Sequence, residues 1–273
     1  MPARTETTKK KHSPFRKHLL LPAEHGTWFW FFVPFFVGVG VARVLNAAVL
    51  LTFIGGFAAF LMRHPLTMWF QIRRGRGRKT DSPQALRWAT GLGLVAITCF
   101  VLLLAMGLIP LLWLLLPLIP LVIFYLIAAQ KRRAASRTFW VELAGAVGLA
   151  LMAPTAYIAA TGQMNSTGWL LWGLMAGQNA LGVHYVRLRL ADTHSRRPRR
   201  LPVLWSHGVG LLAVVLAGIQ GLVPLMTAVP FIAFLVRGLW VTIRPRPVTN
   251  VRRFGLTEVA IEIISGLWMI TAY

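Results

Sequence analysis

A single cysteine, Cys99, and only seven acidic residues stand in this chain of 273. One cysteine excludes an internal disulfide, and without companion thiols a cysteine metal site is excluded as well. Polar stretches are equally scarce. Beyond residues 1–17 no segment has the composition of a soluble domain, and no internal repeat is visible. The first apolar stretch is long, aromatic-rich and without a small-residue cleavage site, so it is expected to stay as the first helix rather than leave as a signal peptide.

What the chain does have is apolar length. A content of 56% hydrophobic residues and a mean hydropathy of +0.64 are incompatible with one soluble core and a wet surface. Runs matching the roughly 20 residues that cross a hydrocarbon core occur at 28–45, 47–70, 88–106, 109–128, 140–161, 168–190, 203–220, 222–241 and 254–272. The predicted fold is therefore an all-α polytopic membrane bundle of about nine transmembrane helices. One transmembrane domain spans 18–273, and residues 1–17, polar, basic and aperiodic, form a disordered cytoplasmic tail.

The charge of +22, with 29 Lys and Arg, would suggest nucleic acid as the partner of a soluble protein. Its placement points elsewhere. Lys9, Lys10, Lys11, Arg16 and Lys17 lie in the tail, and later clusters run from Arg73 to Lys79, Lys131 to Arg137, Arg196 to Arg200 and Arg244 to Arg253. With nine spans these all fall on the tail's side, leaving only Arg43 on the other. The positive-inside rule then predicts a bacterial cytoplasmic (inner) membrane protein with its N-terminus in the cytoplasm and its C-terminus outside. Membrane lipids are the expected partners and nucleic acid is not.

Polar residues inside the spans concentrate toward the basic ends, which suggests one cytoplasm-facing cavity closed by an apolar floor. Glu24 and His25 open the first span. Glu24 suits the first helical turn, where a carboxylate is stabilised by up to about 1 kcal/mol. Capping leaves His25 and Gly26 unexplained, so an acid or base role for Glu24 and His25 stands beside it. In the second span Arg63 and His64 precede Pro65, with His64, Thr67 and Gln71 on one face. Arg63 either holds an anion or snorkels to the interface. The sixth span carries Gln178, Asn179, His184 and Arg187. Arg187 is a second candidate anion ligand and His184 a third candidate acid or base; the arginines could equally neutralise Glu24, Glu142 or Glu258 in structural pairs. Glu258 and Glu262, one turn apart, either face the cavity as ligand-binding groups that share a proton or hold a cation, or pair with Arg237, Arg252 or Arg253.

Pro22-x-Glu24-His25-Gly26-x-Trp28, Arg63-x-Pro65-Leu66 and Val183-x-Tyr185-Val186-Arg187 resemble the YwiC-like family of bacterial integral membrane proteins, a likeness extending over most of the chain. That family implies no assigned activity. More distantly, nine helices with basic loops after the second and sixth are similar to the UbiA superfamily of intramembrane prenyltransferases. Those enzymes hold Mg²⁺ and a prenyl diphosphate on aspartate-rich motifs at the ends of helices two and six. Here His64, Thr67 and Gln71 occupy the first motif's spacing, and His184, Tyr185 and Arg187 precede the lone Asp192. A conventional paired-aspartate Mg²⁺ site is not expected, no other metal site or cofactor is identifiable, and an anion would have to be held by arginine directly.

Three functional readings follow. The first is a UbiA-like membrane protein binding an isoprenoid or other anionic amphiphile, with transferase chemistry lacking the usual metal pair as its catalytic form. The second is a small-solute transporter or exporter, disfavoured by the apolar outer halves and the missing repeat. The third is a non-catalytic assembly factor whose intramembrane charges are only ion pairs. They differ in what surrounds Arg63 and Arg187.

Overall fold

The computed structural model describes residues 25–75, 77–130, 138–194 and 198–273. The basic tail, Glu24 and the cluster at 131–137 lie outside the described residues, and His25 is described through its backbone alone.

Every predicted span is helical. The α-helices are α1 (Phe29–Ala42), α2 (Ala47–Arg73), α3 (Ser82–Ala105), α4 (Leu115–Gln130), α5 (Phe139–Leu149), α6 (Met152–Thr161), α7 (Ser166–Thr193), α8 (Leu201–Ile219), α9 (Ala228–Ile243) and α10 (Val251–Ala272). Local chemistry sets their limits. The Asn46, Asn165 and Asn250 side chains accept from the backbone N–H groups of Val49, Gly168 and Arg253, capping α2, α7 and α10. Pro83 and Pro202 sit in the first turns of α3 and α8, where no N–H is needed. Gly162, at φ 76°, closes α6 in the left-handed conformation.

Six segments are long and apolar enough to cross a membrane, and two shorter apolar ones cover Phe29–Ala42 and Ile109–Tyr125. The remaining segment, α7, has the length (28 residues) but carries the polar set from Gln178 to Arg189, which lowers its hydropathy. The predicted span 140–161 is two helices rather than one. Pro154 has no N–H to offer the Ala150 carbonyl, which accepts from Ala153 at 3.1 Å instead, and the chain breaks at Ala150–Leu151. The span at 109–128 opens with a 3₁₀ turn, Ile109–Leu114, containing Pro110.

The exterior is what a bilayer requires. Leu94, Ile97, Leu116, Ile219 and Ile243 are all more than 60% exposed, a surface that water would drive into association. The chain is thus a multi-pass helical membrane protein. Its densest packing joins α2 to α3, α1 to α6, α8 to α9, α5 to α7 and α10 to α1. Small residues permit the closest approach: a Cβ on Gly38 would run into the carbonyl oxygen of Ala153, the pattern by which helices associate in lipid.

Contacts also fix sides. Arg187 with Glu142, Arg200 with the Val241 carbonyl, and Val248 N–H with Thr193 bring the basic ends of α5, α7, α8, α9 and α10 together. Asn46 joins the other ends of α2 and α6 by donating to the Ala159 carbonyl at 3.2 Å.

Candidate functional site

A cavity of about 510 Å³ lies within the first six helices, and its wall is almost wholly apolar. On α2 it runs from Leu51 to Phe70, roughly 28 Å at the rise of an α-helix. It is therefore narrow and long, the shape of a hydrocarbon chain. Consecutive helices α3 and α4 each line it, through Cys99 and Phe100 and through Leu118 and Tyr125, yet they are not among the closely packed pairs. Leu118 and Val122, which also line it, are themselves 38% and 45% exposed. The cavity is therefore not sealed along α4.

Arg63 stands in this wall near its basic end. Its guanidinium carbon lies 5.6 Å from the Phe60 ring centre and 5.8 Å from that of Tyr125. A Cβ built on Gly145 would stand 3.8 Å from Arg63 Nη1, so the guanidinium lies in ordinary contact range of α5. Among the described residues no carboxylate lies within ion-pair distance of it. Cation–π contacts stabilise by about 0.5–1 kcal/mol each when exposed and more when dry, yet an aromatic ring supplies no oxygen acceptor for the N–H donors. Thr67, on the same helix face, turns inward and donates to the Arg63 carbonyl at 2.7 Å. His64 does not line the cavity.

The other candidates lie apart from Arg63. Arg187 Nη1 donates to Glu142 Oε2 at 2.8 Å, tying α7 to α5, and its guanidinium sits over Phe139. His184 stacks on the same Phe139 ring, centres 4.7 Å apart and 11° from parallel, and its Nδ1 is 2.7 Å from Ser206 Oγ. Gln178 donates to Glu262 Oε2 at 2.6 Å, while Asn179 donates to the Ala146 carbonyl at 2.9 Å and the Trp30 carbonyl at 3.4 Å. Glu258 accepts from Arg237 at 2.9 Å, and Arg237 lies 3.9 Å above the Tyr185 ring. Of the eight candidates with described side chains, Arg63 alone enters the wall of the long cavity. Among the described residues no three His, Cys, Asp or Glu side chains gather as a metal ion would require.

The cavity wall and its one guanidinium belong to a segment with known relatives. A family model described as YwiC-like protein matches residues 21–157, half of the chain. The chain belongs to the YwiC-like family. No curated protein and no solved structure matches it. The YwiC-like segment contains every residue that lines the cavity, from Phe31 to Thr155. It also contains the Glu24-His25 and Arg63-x-Pro65 motifs, but it ends before α7, so the Val183-x-Tyr185-Val186-Arg187 motif lies outside the match. The likeness thus extends over half of the chain, not most of it.

Tyr125 escaped the sequence reading. It is one of four tyrosines, set in an otherwise apolar run near a basic cluster, and that isolation was the available signal. Ser206, which bridges His184 to the helix α8 carbonyl of Val203, had no sequence signal.

Proposed function

We propose that this YwiC-like protein binds an anionic amphiphile of isoprenoid type, its chain in the cavity of α1–α6 and its head on Arg63. The observation that carries this reading is one guanidinium, without a carboxylate partner among the described residues, in the wall of a long, almost wholly apolar cavity. A guanidinium keeps its charge and forks onto phosphate or carboxylate oxygens. Leaving it unpaired in hydrocarbon is unfavourable by roughly 2.5–3.5 kcal/mol on insertion scales, which an arriving anion would offset.

The basic side of the bundle is assigned to the cytoplasm of a bacterial inner membrane, with the N-terminus inside and the C-terminus outside, on the distribution of Lys and Arg. The head of the ligand then lies at the cytoplasmic leaflet. Trp28, which ends the His25–Trp28 turn, packs edge-on to Phe60 with centres 5.3 Å apart, and Phe60 carries Arg63 on its own ring. Glu24 and His25 of the first motif are kept as the candidate acid and base, should a UbiA-like transfer follow binding. His184, engaged with Ser206 and Phe139, supports α7 packing instead.

Thermal unfolding in detergent with farnesyl and geranylgeranyl diphosphate, each with Mg²⁺ and with EDTA, tests the proposal. A ligand at 100 times its dissociation constant stabilises by about 2.7 kcal/mol. Stabilisation is expected to survive EDTA and to vanish in Arg63→Gln. No shift with any of these ligands, or an equal shift in Arg63→Gln, overturns the reading.

A further inference from the structure

The half of the molecule outside the YwiC-like match holds a second cavity, about 570 Å³, whose lining shares no residue with the first. Three arginines line it: Arg189 on α7, Arg237 on α9 and Arg246 in the link between α9 and α10. Arg237 is engaged with Glu258. Arg189 and Arg246 have no carboxylate within ion-pair distance among the described residues. The groove is therefore cationic, and its remaining wall is apolar and aromatic.

The arginines are held in place before any ligand arrives. Arg189 donates from Nε to the Arg246 carbonyl at 2.8 Å and from Nη1 to the Tyr185 hydroxyl at 2.9 Å. Its guanidinium also covers Phe254 at 4.9 Å. Two residues on, the Val248 N–H donates to Thr193 Oγ1 at 2.8 Å, so the link is fixed to α7 at two points. The Arg246 guanidinium stands 5.4 Å over Trp240, and Arg244 covers the same indole at 5.1 Å.

Below this level α9 presents Val236 and Trp240, one turn apart, 59% and 47% exposed toward the hydrocarbon. Charge at headgroup height, an interfacial indole and an apolar stripe beneath follow the outline of one phospholipid. We propose that this groove binds an anionic glycerophospholipid, with Arg189 and Arg246 on the phosphodiester and an acyl chain along Val236 and Trp240. The proposal is independent of the Arg63 cavity. A free phosphate would satisfy the same arginines; the apolar stripe is what commits the site to lipid.

Native mass spectrometry of the delipidated protein in detergent, titrated with phosphatidylglycerol, phosphatidylcholine or inorganic phosphate, tests it. Phosphatidylglycerol is expected to bind roughly tenfold or more tightly than phosphatidylcholine, from two arginines at the membrane surface. Arg246→Gln, whose backbone carbonyl still accepts from Arg189, should remove most of that preference, and Arg189→Gln with Arg246→Gln should remove all of it. If the double variant fails to fold, Arg246→Gln alone decides. Equal binding of the two lipids, full competition by millimolar phosphate, or retained preference in Arg246→Gln each overturns the proposal.

Discussion

The first six helices and the last four are held together by different physics. In α1–α6 the contacts are matters of shape. Gly38 meets the Ala153 backbone, Ala146, Ala150, Ala153 and Ala156 are fully buried, and Phe31, Phe53, Phe57 and Phe60 stack beside Trp28. In α7–α10 an apolar core that includes Leu171, Met175, Phe231, Phe234 and Met269 is joined by polar contacts: Arg237 with Glu258, Gln178 with Glu262, Arg200 with Asp192 at 2.5 Å. Lipid gives no hydrophobic drive between helices, so both halves rely on close packing, and the second adds ion pairs and buried hydrogen bonds to it. The comparison also explains why Arg63 is conspicuous. A charge among paired charges is architecture, whereas the same charge in a half held by shape needs another reason to be there.

Substitutions can break that contrast from either side. The largest effect is expected from Glu258→Ala, which strands Arg237 between Tyr185 and Phe234 with its side chain only 15% exposed. Removing one partner of a buried pair costs about 3–5 kcal/mol, read as a lowered melting temperature in detergent; an unchanged melt would refute polar cohesion of the second half. Gly38→Ala tests the other half: the added methyl must displace α6, at about 1–3 kcal/mol for overpacking, and a wild-type melt would refute cohesion by shape. Gln178→Leu leaves Glu262 buried without its donor and should cost about 1–3 kcal/mol by the same assay. Glu142→Gln weakens a pair whose side chains are 38% and 41% exposed, so about 1 kcal/mol or less is expected. Smallest on stability is Arg63→Gln. Loss of two cation–π contacts is offset by removal of an unpaired charge, so the ligand-free melt should stay near wild type while the response to isoprenoid diphosphate disappears.

The helical layout was legible because transmembrane length and apolar composition are written locally in the chain. Each of the nine apolar runs became a helical segment. The break at Ala150–Leu151 was less visible, since it depends on which carbonyl Pro154 leaves unserved inside a run that is apolar throughout. The candidate residues were legible as a set but not as a partition. Arg63 and Arg187 have the same chemistry and similar positions at the basic ends of long helices. Only tertiary placement sets Arg63 against Gly145 and a cavity, and Arg187 against Glu142. Glu258 and Glu262 follow the same rule, because their partners Arg237 and Gln178 come from helices 21 and 84 residues away in the chain.

Cys99 is buried and lines the long cavity, and it is the only sulfhydryl the chain contains. The native protein therefore carries a built-in reporter. A membrane-permeant maleimide or a fluorinated thiol tag can reach just one atom, and that atom faces the space assigned to the ligand. Labelling rate then becomes a measure of occupancy that needs no engineered residue, and a fluorine resonance at Cys99 would register filling of the cavity in intact membranes, before any substrate has been identified.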